Sequence, residues 1–563
     1  MWHLAKGLLS SLLMVTLILT DTNAQIVLAP EIFEQQGGIE VIIEDSSLLM
    51  ALDKHEGLTI DHGCTHHTPR LYATASGYQY LMEQNIAFTY IERPKVELTM
   101  LGPEELPVYR SECMPDMDFY PTYEAYVEMM NNFQSQYPDL CRVFSIGTLE
   151  SGRQIWMAQL GDDLDNSQDE PNLLYTSTMH GDETTGFPMM LQLIDYLLCN
   201  YETEDRITTL MDEVNIYINP LANPDGTYTN DNSTVQGATR RNANFIDLNR
   251  NFPDPEDGMN PDNRPTQDET QFFIDFAEAN NIHLSANFHG GAEVVSYPWD
   301  TWSRRAADDS WWIEKAREYA DLCQENSADN NYFTDLENGI THGWDWFEVD
   351  GGRQDLMNYY VRAREWTIEL SQRKLVNSAD LPMFWQANRE ALLTYMEEAM
   401  FGFQGQVVDC VTGEPIRAEI IMENHDIDNS SVFSDSLSGY FFRFLDDGQY
   451  NAMIVAEGYE TLFLPIDISD RTLTRMNLEL CPESTSTAEF AADEIQVIST
   501  ETGILIIGNL SGQLAEIEIF DTGGRLMHRA DSSNAVENLS LTAGIYLVQI
   551  TLDNRIGTFV INK

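Results

Sequence analysis

Lysine and arginine are scarce in this chain of 563 residues: 31 of them stand against 91 aspartates and glutamates, a formal charge of −60. So acidic a surface repels phosphate backbones and anionic lipid headgroups, so neither nucleic acid nor an acidic membrane face is expected as a partner. What remains is a plain solvated surface or attraction of cationic substrates. No two of the 7 cysteines form a Cys-x-x-Cys pair, so a thiolate zinc site is not expected. Long apolar runs are missing as well. The single candidate, "GLLSSLLMVTLIL" after Lys6, is shorter than the roughly 20 residues a spanning helix needs. Followed by "DTNA", with the small Ala24, it reads as a secretory signal over residues 1–24 rather than a membrane anchor. The expected mature chain is exported, has no transmembrane segment and is free to form disulfides. Cys410 and Cys481 bracket one β-rich segment and are candidates to staple it; an odd count leaves a thiol free or paired between chains.

A chain of this length exceeds one core, so about two to four domains are expected. Residues 25–115 read as a small α+β unit: "IEVIIEDSSLLMALDKHEGLTIDHG" is strand, helix and turn, and "YATASGYQYLMEQNIAFTYIE" is helix then strand. Over 116–400 strand and helix patterns alternate, which implies an α/β fold, a sheet covered by helices on both faces. Residues 402–481 change to short alternating strands separated by "TGEP", "LSG" and "DDGQ", the pattern of an antiparallel β-sandwich. A linker over 482–492 leads to a second β-sandwich over 493–563. The acidic loop "GDDLDNSQDE", 161–170, offers oxygen ligands for Ca2+ but lacks the spacing of a known calcium loop; a plain solvated loop is the other reading.

Chemistry gathers around "MHGDE". His180 and Glu183 follow an apolar strand and are expected to open a helix, where an i,i+3 spacing puts both side chains on one face. Imidazole nitrogen and carboxylate oxygen both suit zinc, although the pair alone also fits ordinary helix-start polarity. His289 ends another apolar strand and is followed by two glycines, which let backbone approach a site closely. Two histidines, one glutamate and an open fourth position are the ligand set of a catalytic rather than a structural zinc.

The stretches "MHGDE", "INPLANPDG", "RRNANFIDLNRNFPD", "NFHGGAEVVSYPWD", "GITHGWDWFEVDGGRQD" and "EWTIELS" follow one another over about 180–371. In this order they resemble the zinc carboxypeptidases, metallocarboxypeptidases of the hydrolase class, and among them the regulatory N- and E-like branch. The sandwich carrying "VVDCVTGEPIRAEI" resembles the transthyretin-like domain of that branch. The resemblance implies one Zn2+ held by His180, Glu183 and His289, with Asp247 orienting a ligand histidine. It implies Glu369 as general base and Arg240 as the cation on the scissile carbonyl, with Arg241 next to it leaving that assignment open by one position. Asn249 and Arg250 would hold the terminal carboxylate of a peptide or protein substrate. Asp300, eleven residues after His289, and Gln354 would line the side-chain pocket, implying a preference for C-terminal Lys or Arg. A buried carboxylate facing a basic head is a sensible match, since each is costly to bury alone.

One position departs from the pattern. Where the family has a tyrosine that helps hold the substrate carboxylate, this chain has Phe347. The lost hydrogen bond is expected to weaken binding by about 1 kcal/mol, or about 1.5–3 with a charged partner; Tyr359 and Tyr360 are nearby in sequence. The tail, with "GIYLVQI" and a short basic end, resembles the sorting domain read by the type IX secretion machinery, which implies export through the periplasm to a secreted or cell-surface state; an adhesive sandwich is the other reading. Residues 25–115 resemble regions that precede secreted bacterial carboxypeptidases, so a propeptide that shields the site or aids folding is expected, with a permanent accessory domain as the alternative. Two further readings stay open: a carboxypeptidase of broad or apolar preference, and a catalytically dead surface binding protein.

Overall fold

The computed structural model describes residues 28–482, apart from 31, 34–37, 56, 62–68, 93–94, 107–112 and 166–168, and the strands and short turns between 495 and 562. The signal reading over 1–24, most of the linker and Cys64 therefore lie outside the described residues. The chain forms two compact units, one of residues up to 456 with 461–479, the other of 457–460 with those from 480 on.

The first unit is built on an eight-stranded mixed sheet. Its order runs from Ile340–His342 through Glu293–Tyr297, Arg364–Leu370, Ile282–His289, Asn172–Ser177, Asn215–Asn219 and Gln154–Leu160 to Cys141–Thr148. The central strands are apolar runs, and Arg364–Leu370 is buried along its whole length, as strands covered on both faces must be. Helices Tyr123–Gln136, Gly186–Asn200 and Leu381–Glu397 fill one side with Phe187, Leu193 and Trp366 in the core. Helix Asp268–Ala279 covers the other with Phe273 and Phe276. Helix Tyr123–Gln136 starts where the Thr122 hydroxyl accepts the Ala125 N–H. It stops at Tyr137, whose following proline disfavours a further helical turn. Three neighbouring strands, Asn172–Ser177, Ile282–His289 and Arg364–Leu370, run parallel, so their C-terminal ends share one edge. Function in open α/β sheets collects at that edge.

Before this sheet stands a four-stranded antiparallel one, ordered Leu58–Ile60, Arg70–Ala73, Ile39–Ile43 and Phe88–Ile91, with helix Ala75–Glu83 packed on it through Leu81. After it come two sheets, Tyr440–Arg443 with Gly402–Asp409 and Leu473–Leu480, and Val432–Phe433 with Glu419–Met422, Gly448–Val455 and Leu462–Ile468. The second unit also holds two sheets, of three and four strands, with Ile519, Val548 and Ile550 buried. Cys113 and Cys199 form a disulfide, Cys410 and Cys481 are also disulfide-bonded, and Cys141 and Cys323 are free and buried.

A buried charge cluster joins the eight-stranded sheet to the sheets that follow it. Asp308 meets Arg364 at 2.7 Å, Arg443 at 2.9 Å and His425 at 2.8 Å. Burial pushes Asp308 up, yet Arg443 and Arg364 outweigh it and hold its carboxylate below the usual range. The stability it contributes is present above its unfolded pKa near 4 and is lost as pH falls below that value. Asp308→Ala leaves two buried guanidiniums without their shared partner; it should cost about 3–5 kcal/mol in a denaturant titration.

Candidate metal centre and substrate pocket

Ser177 ends its strand, and the chain turns before helix Gly186–Asn200 begins. His180 and Glu183 both lie in that turn, so the expectation that they share a helical face is corrected. Thr178 takes a left-handed φ of 62°, and the Glu183 N–H donates to the His180 carbonyl at 3.1 Å. It is this tight turn, not helical periodicity, that folds Glu183 back onto His180. His289 arrives from the adjacent parallel strand, where it pairs in register with Glu369.

Three ligand atoms converge there. His180 Nδ1 lies 2.9 Å from Glu183 Oε2 and 3.1 Å from His289 Nδ1, and His289 Nδ1 lies 2.8 Å from the same Glu183 oxygen. Among the described residues this is the group of His, Cys, Asp or Glu side chains placed to hold a metal. Its two nitrogens and one oxygen are the donor set of catalytic zinc, whose bonds of about 2.0–2.2 Å require ligand atoms this close together. The far side of each imidazole is held too. His180 Nε2 meets Asp247 Oδ1 at 3.0 Å, which leaves Nδ1 as the lone-pair nitrogen. His289 Nε2 meets the Asn287 amide at 2.8 Å, and Asn287 in turn takes the Thr176 hydroxyl at 3.0 Å. Burial pushes His289 down to about 4, against the pull of Glu183, so its ring is neutral, as a ligand must be. The loop 161–170, with its Ca2+ reading, falls partly outside the described residues.

Arg240, wholly buried, donates from Nε to Asp247 at 2.8 Å and from Nη1 to Glu183 Oε1 at 3.1 Å, while its Nη2 has no partner among the described residues. Arg241 turns away, to the Thr59 hydroxyl at 3.0 Å and the Phe245 carbonyl. Of the two arginines, it is Arg240 that faces the His180 and Glu183 cluster. Glu369 is fully buried; burial, and after it the Glu183 carboxylate, pushes its pKa well above the ordinary value.

A second group sits beside the first. Asp247 caps the turn Leu248–Arg250 by accepting the Asn249 N–H. Asn249 Oδ1 accepts the Arg353 N–H at 3.0 Å, and Arg250 Nη1 donates to the Asn249 carbonyl. Among the described residues, Arg250 Nε and Nη2 are buried without a hydrogen-bond partner, and so is Gln354 Oε1. Gln354 Nε2 donates to Asp300 Oδ1 at 2.8 Å, and burial pushes Asp300 up to about 7. Buried donors and a buried acceptor left unmade are expensive unless a ligand completes them. Phe347 packs against the apolar core of the N-terminal sheet. The Tyr360 hydroxyl donates to the Asp254 carbonyl, and Tyr359 packs on Trp299 and Trp302.

Several residues around the site carry little or no sign of it in the sequence. Asn287 stands two before His289 on the same strand face, a signal that was available. Lys374, Asp61 and Asp53 carried none. Lys374 Nζ pairs with Asp61, 313 positions away, and lies 3.7 Å from Glu183 Oε1. Asp53 Oδ2 lies 3.9 Å from Arg250 Nε. The strand Leu58–Ile60 and its flanks thus cover the metal-type cluster. Leu58 and Thr59 line a cavity of about 1290 Å³ that also reaches Asp247 and Arg250; Asp61 lines another of about 510 Å³ with Asp182 and Gly291.

Comparison with known proteins agrees with this geometry. The fold is shared with the crystal structure of carboxypeptidase A from Helicoverpa armigera, at a TM-score of 0.50 and 15% identity, over 65% of this chain and 98% of that one. Residues 126–391 match the family described as zinc carboxypeptidase. The human carboxypeptidase N catalytic chain is 31% identical over 63% of this chain and 85% of its own length. Rat carboxypeptidase D is 29% identical over 66% of this chain but 27% of its own length, so this chain spans about a quarter of that relative. The chain belongs to the zinc carboxypeptidase family.

Replacing Asp247 by Ala frees the far nitrogen of His180. Zinc affinity, measured by chelator competition, should fall about 10–100-fold.

Proposed function

We propose that this chain is a zinc-dependent carboxypeptidase that removes C-terminal Lys or Arg and is held in check by its own N-terminal unit. The observation that carries the reading is the pairing of unmet groups beside the His180, Glu183 and His289 cluster: bare Arg250 donors and a bare Gln354 acceptor next to Asp300. A peptide end supplies the complement of each, a carboxylate for the guanidinium and a basic head for the carboxyl and amide.

When bound, zinc supplies a water whose pKa is lowered to about 7 and a Lewis acid for the carbonyl. Arg250, with Asn249, holds the terminal carboxylate and so fixes which bond is cut. Arg240 presents its unpaired Nη2 to the oxygen of the scissile carbonyl as charge develops there. Glu369, buried level with His289, would in its ionised form accept the proton of the attacking water and pass it to the leaving amine. Phe347 offers the substrate a ring face without a hydroxyl. The retained ligand set and Glu369 favour an enzyme over a dead binding protein.

Shielding by the N-terminal unit rests on its acidic groups. Asp53 approaches Arg250, and Asp61 ties up Lys374 next to Glu183, so the groups a substrate carboxylate seeks already face carboxylates. Residues 1–24 and 493–563 are proposed as export and type IX sorting signals of a secreted or surface-attached enzyme.

Three altered proteins test this. Glu369→Gln should retain zinc and lose at least about 100-fold in turnover, the low end of what a general base contributes; unchanged turnover would refute the assigned base. Cutting the full chain between 92 and 119 should raise hydrolysis of Arg-ended peptides, and Asp53→Asn should raise it in the uncut chain.

A further inference from the structure

Asp300 does not stand alone in its pocket. Asp355, next to Gln354 in sequence, is wholly buried, and its two oxygens accept the backbone N–H groups of Asp300 at 3.1 Å and Thr301 at 2.7 Å. Two consecutive peptide groups of the pocket loop thus hang on one side chain. From the other side Gln354 donates to Asp300, and Gly343 closes in: a Cβ there would stand 1.8 Å from Asp300 Oδ1. Clip, amide and glycine leave the Asp300 carboxyl a single place.

Its charge is less settled than its position. Asp254 and Glu365 add negative field and Arg250 positive field. Arg353, which follows Gly352 into the same short helix, is committed to Glu365 at 2.7 Å. Among the described residues neither Asp300 nor Asp355 has a cation at salt-bridge distance. Two buried carboxyls lie back to back across one peptide group, with an unmet acceptor, Gln354 Oε1, beside them.

We propose that Asp355 is a positioning residue for specificity: it fixes Asp300 through two peptide N–H groups and, as the second carboxyl of a buried pair, makes acceptance of a Lys or Arg end group depend on pH. The proposal rests on the basic-end reading above. Burial pushes Asp300 up to about 7, with Arg250 pulling against it and Asp254 and Glu365 adding to the push. Burial, and then Asp300 itself, pushes Asp355 up as well. Groups this close titrate as a pair, so the empty pocket keeps a proton near neutral pH. A guanidinium or ammonium entering the pocket favours the ionised form, and the proton leaves to solvent. Because Asp300 stands above its unfolded value near 4, ionising the empty pocket costs stability as pH rises from there through about 7. A basic occupant removes that cost; an apolar one does not.

The test compares two peptides that differ only in their last residue, Arg or Phe, hydrolysed by the zinc-loaded full chain nicked between 92 and 119. Protonation of the metal cluster affects both peptides alike and cancels in the ratio of kcat/KM. That ratio, Arg over Phe, should fall about tenfold per unit as pH drops below about 7. In Asp355→Asn the fall should move at least about one pH unit lower, and KM for the Arg peptide should rise more than its kcat drops. A purely structural Asp355 would weaken both peptides equally and leave the fall where it was, which overturns the proposal. So does Arg preference that is flat with pH in the parent chain, a result that needs no variant and leaves the basic-end reading intact. Equal handling of Arg and Phe at every pH overturns both.

Discussion

Two imidazole nitrogens and one carboxylate oxygen meet within about 3 Å of one another in a buried site. Without a cation between them, that meeting is unfavourable: lone pairs face lone pairs, and burial penalises the glutamate. The surrounding structure spends its hydrogen bonds on maintaining it. Asp247 and Asn287 fix the outer edges of the two rings, Arg240 braces Glu183, and parallel strands deliver His289 and Glu369 to the same level. The sheet matters to function because its parallel register puts those two residues side by side without further adjustment.

The substrate side follows the same logic at one remove. Among the described residues Arg250 and Gln354 have groups left unmet, which a fold tolerates only where something else arrives to complete them. In this chain part of that completion comes from within. The N-terminal sheet brings Asp53 towards Arg250, sets Asp61 on Lys374, and packs its apolar core against Phe347. Phe347 suits that place, because a ring lying against Ile and Leu side chains has no use for a polar tip.

Much of this was legible in the sequence because it lies in local pattern. Apolar strands that end in "STMHGDE", "NFHGG" and "TIEL" mark the edge of a parallel sheet, and residue type supplied the ligands. Where the reading failed, local pattern was a poor guide to backbone path. His180 and Glu183 have helical spacing, yet Thr178 at positive φ and the turn after it bring them together outside any helix. Contacts set by long-range folding left no mark at all. Nothing near Asp61 hints at Lys374, and the clip from Asp355 to the loop after Tyr297 appears only when the chain has closed. Arg240 and Arg241 are equivalent in sequence; only the folded chain turns one to Glu183 and Asp247 and the other to Thr59.

The claim on which the rest depends is that His180, Glu183 and His289 hold one catalytic zinc at the end of a peptide groove. Metal analysis of the purified full chain, together with mass analysis of peptides ending in Arg, Lys or Phe incubated with and without a chelator, tests it most directly. The account predicts one zinc per chain and loss of a single C-terminal residue, Arg or Lys before Phe, that stops when the metal is removed and resumes when zinc is returned. Cleavage indifferent to the chelator, or a chain that binds no zinc, would contradict it.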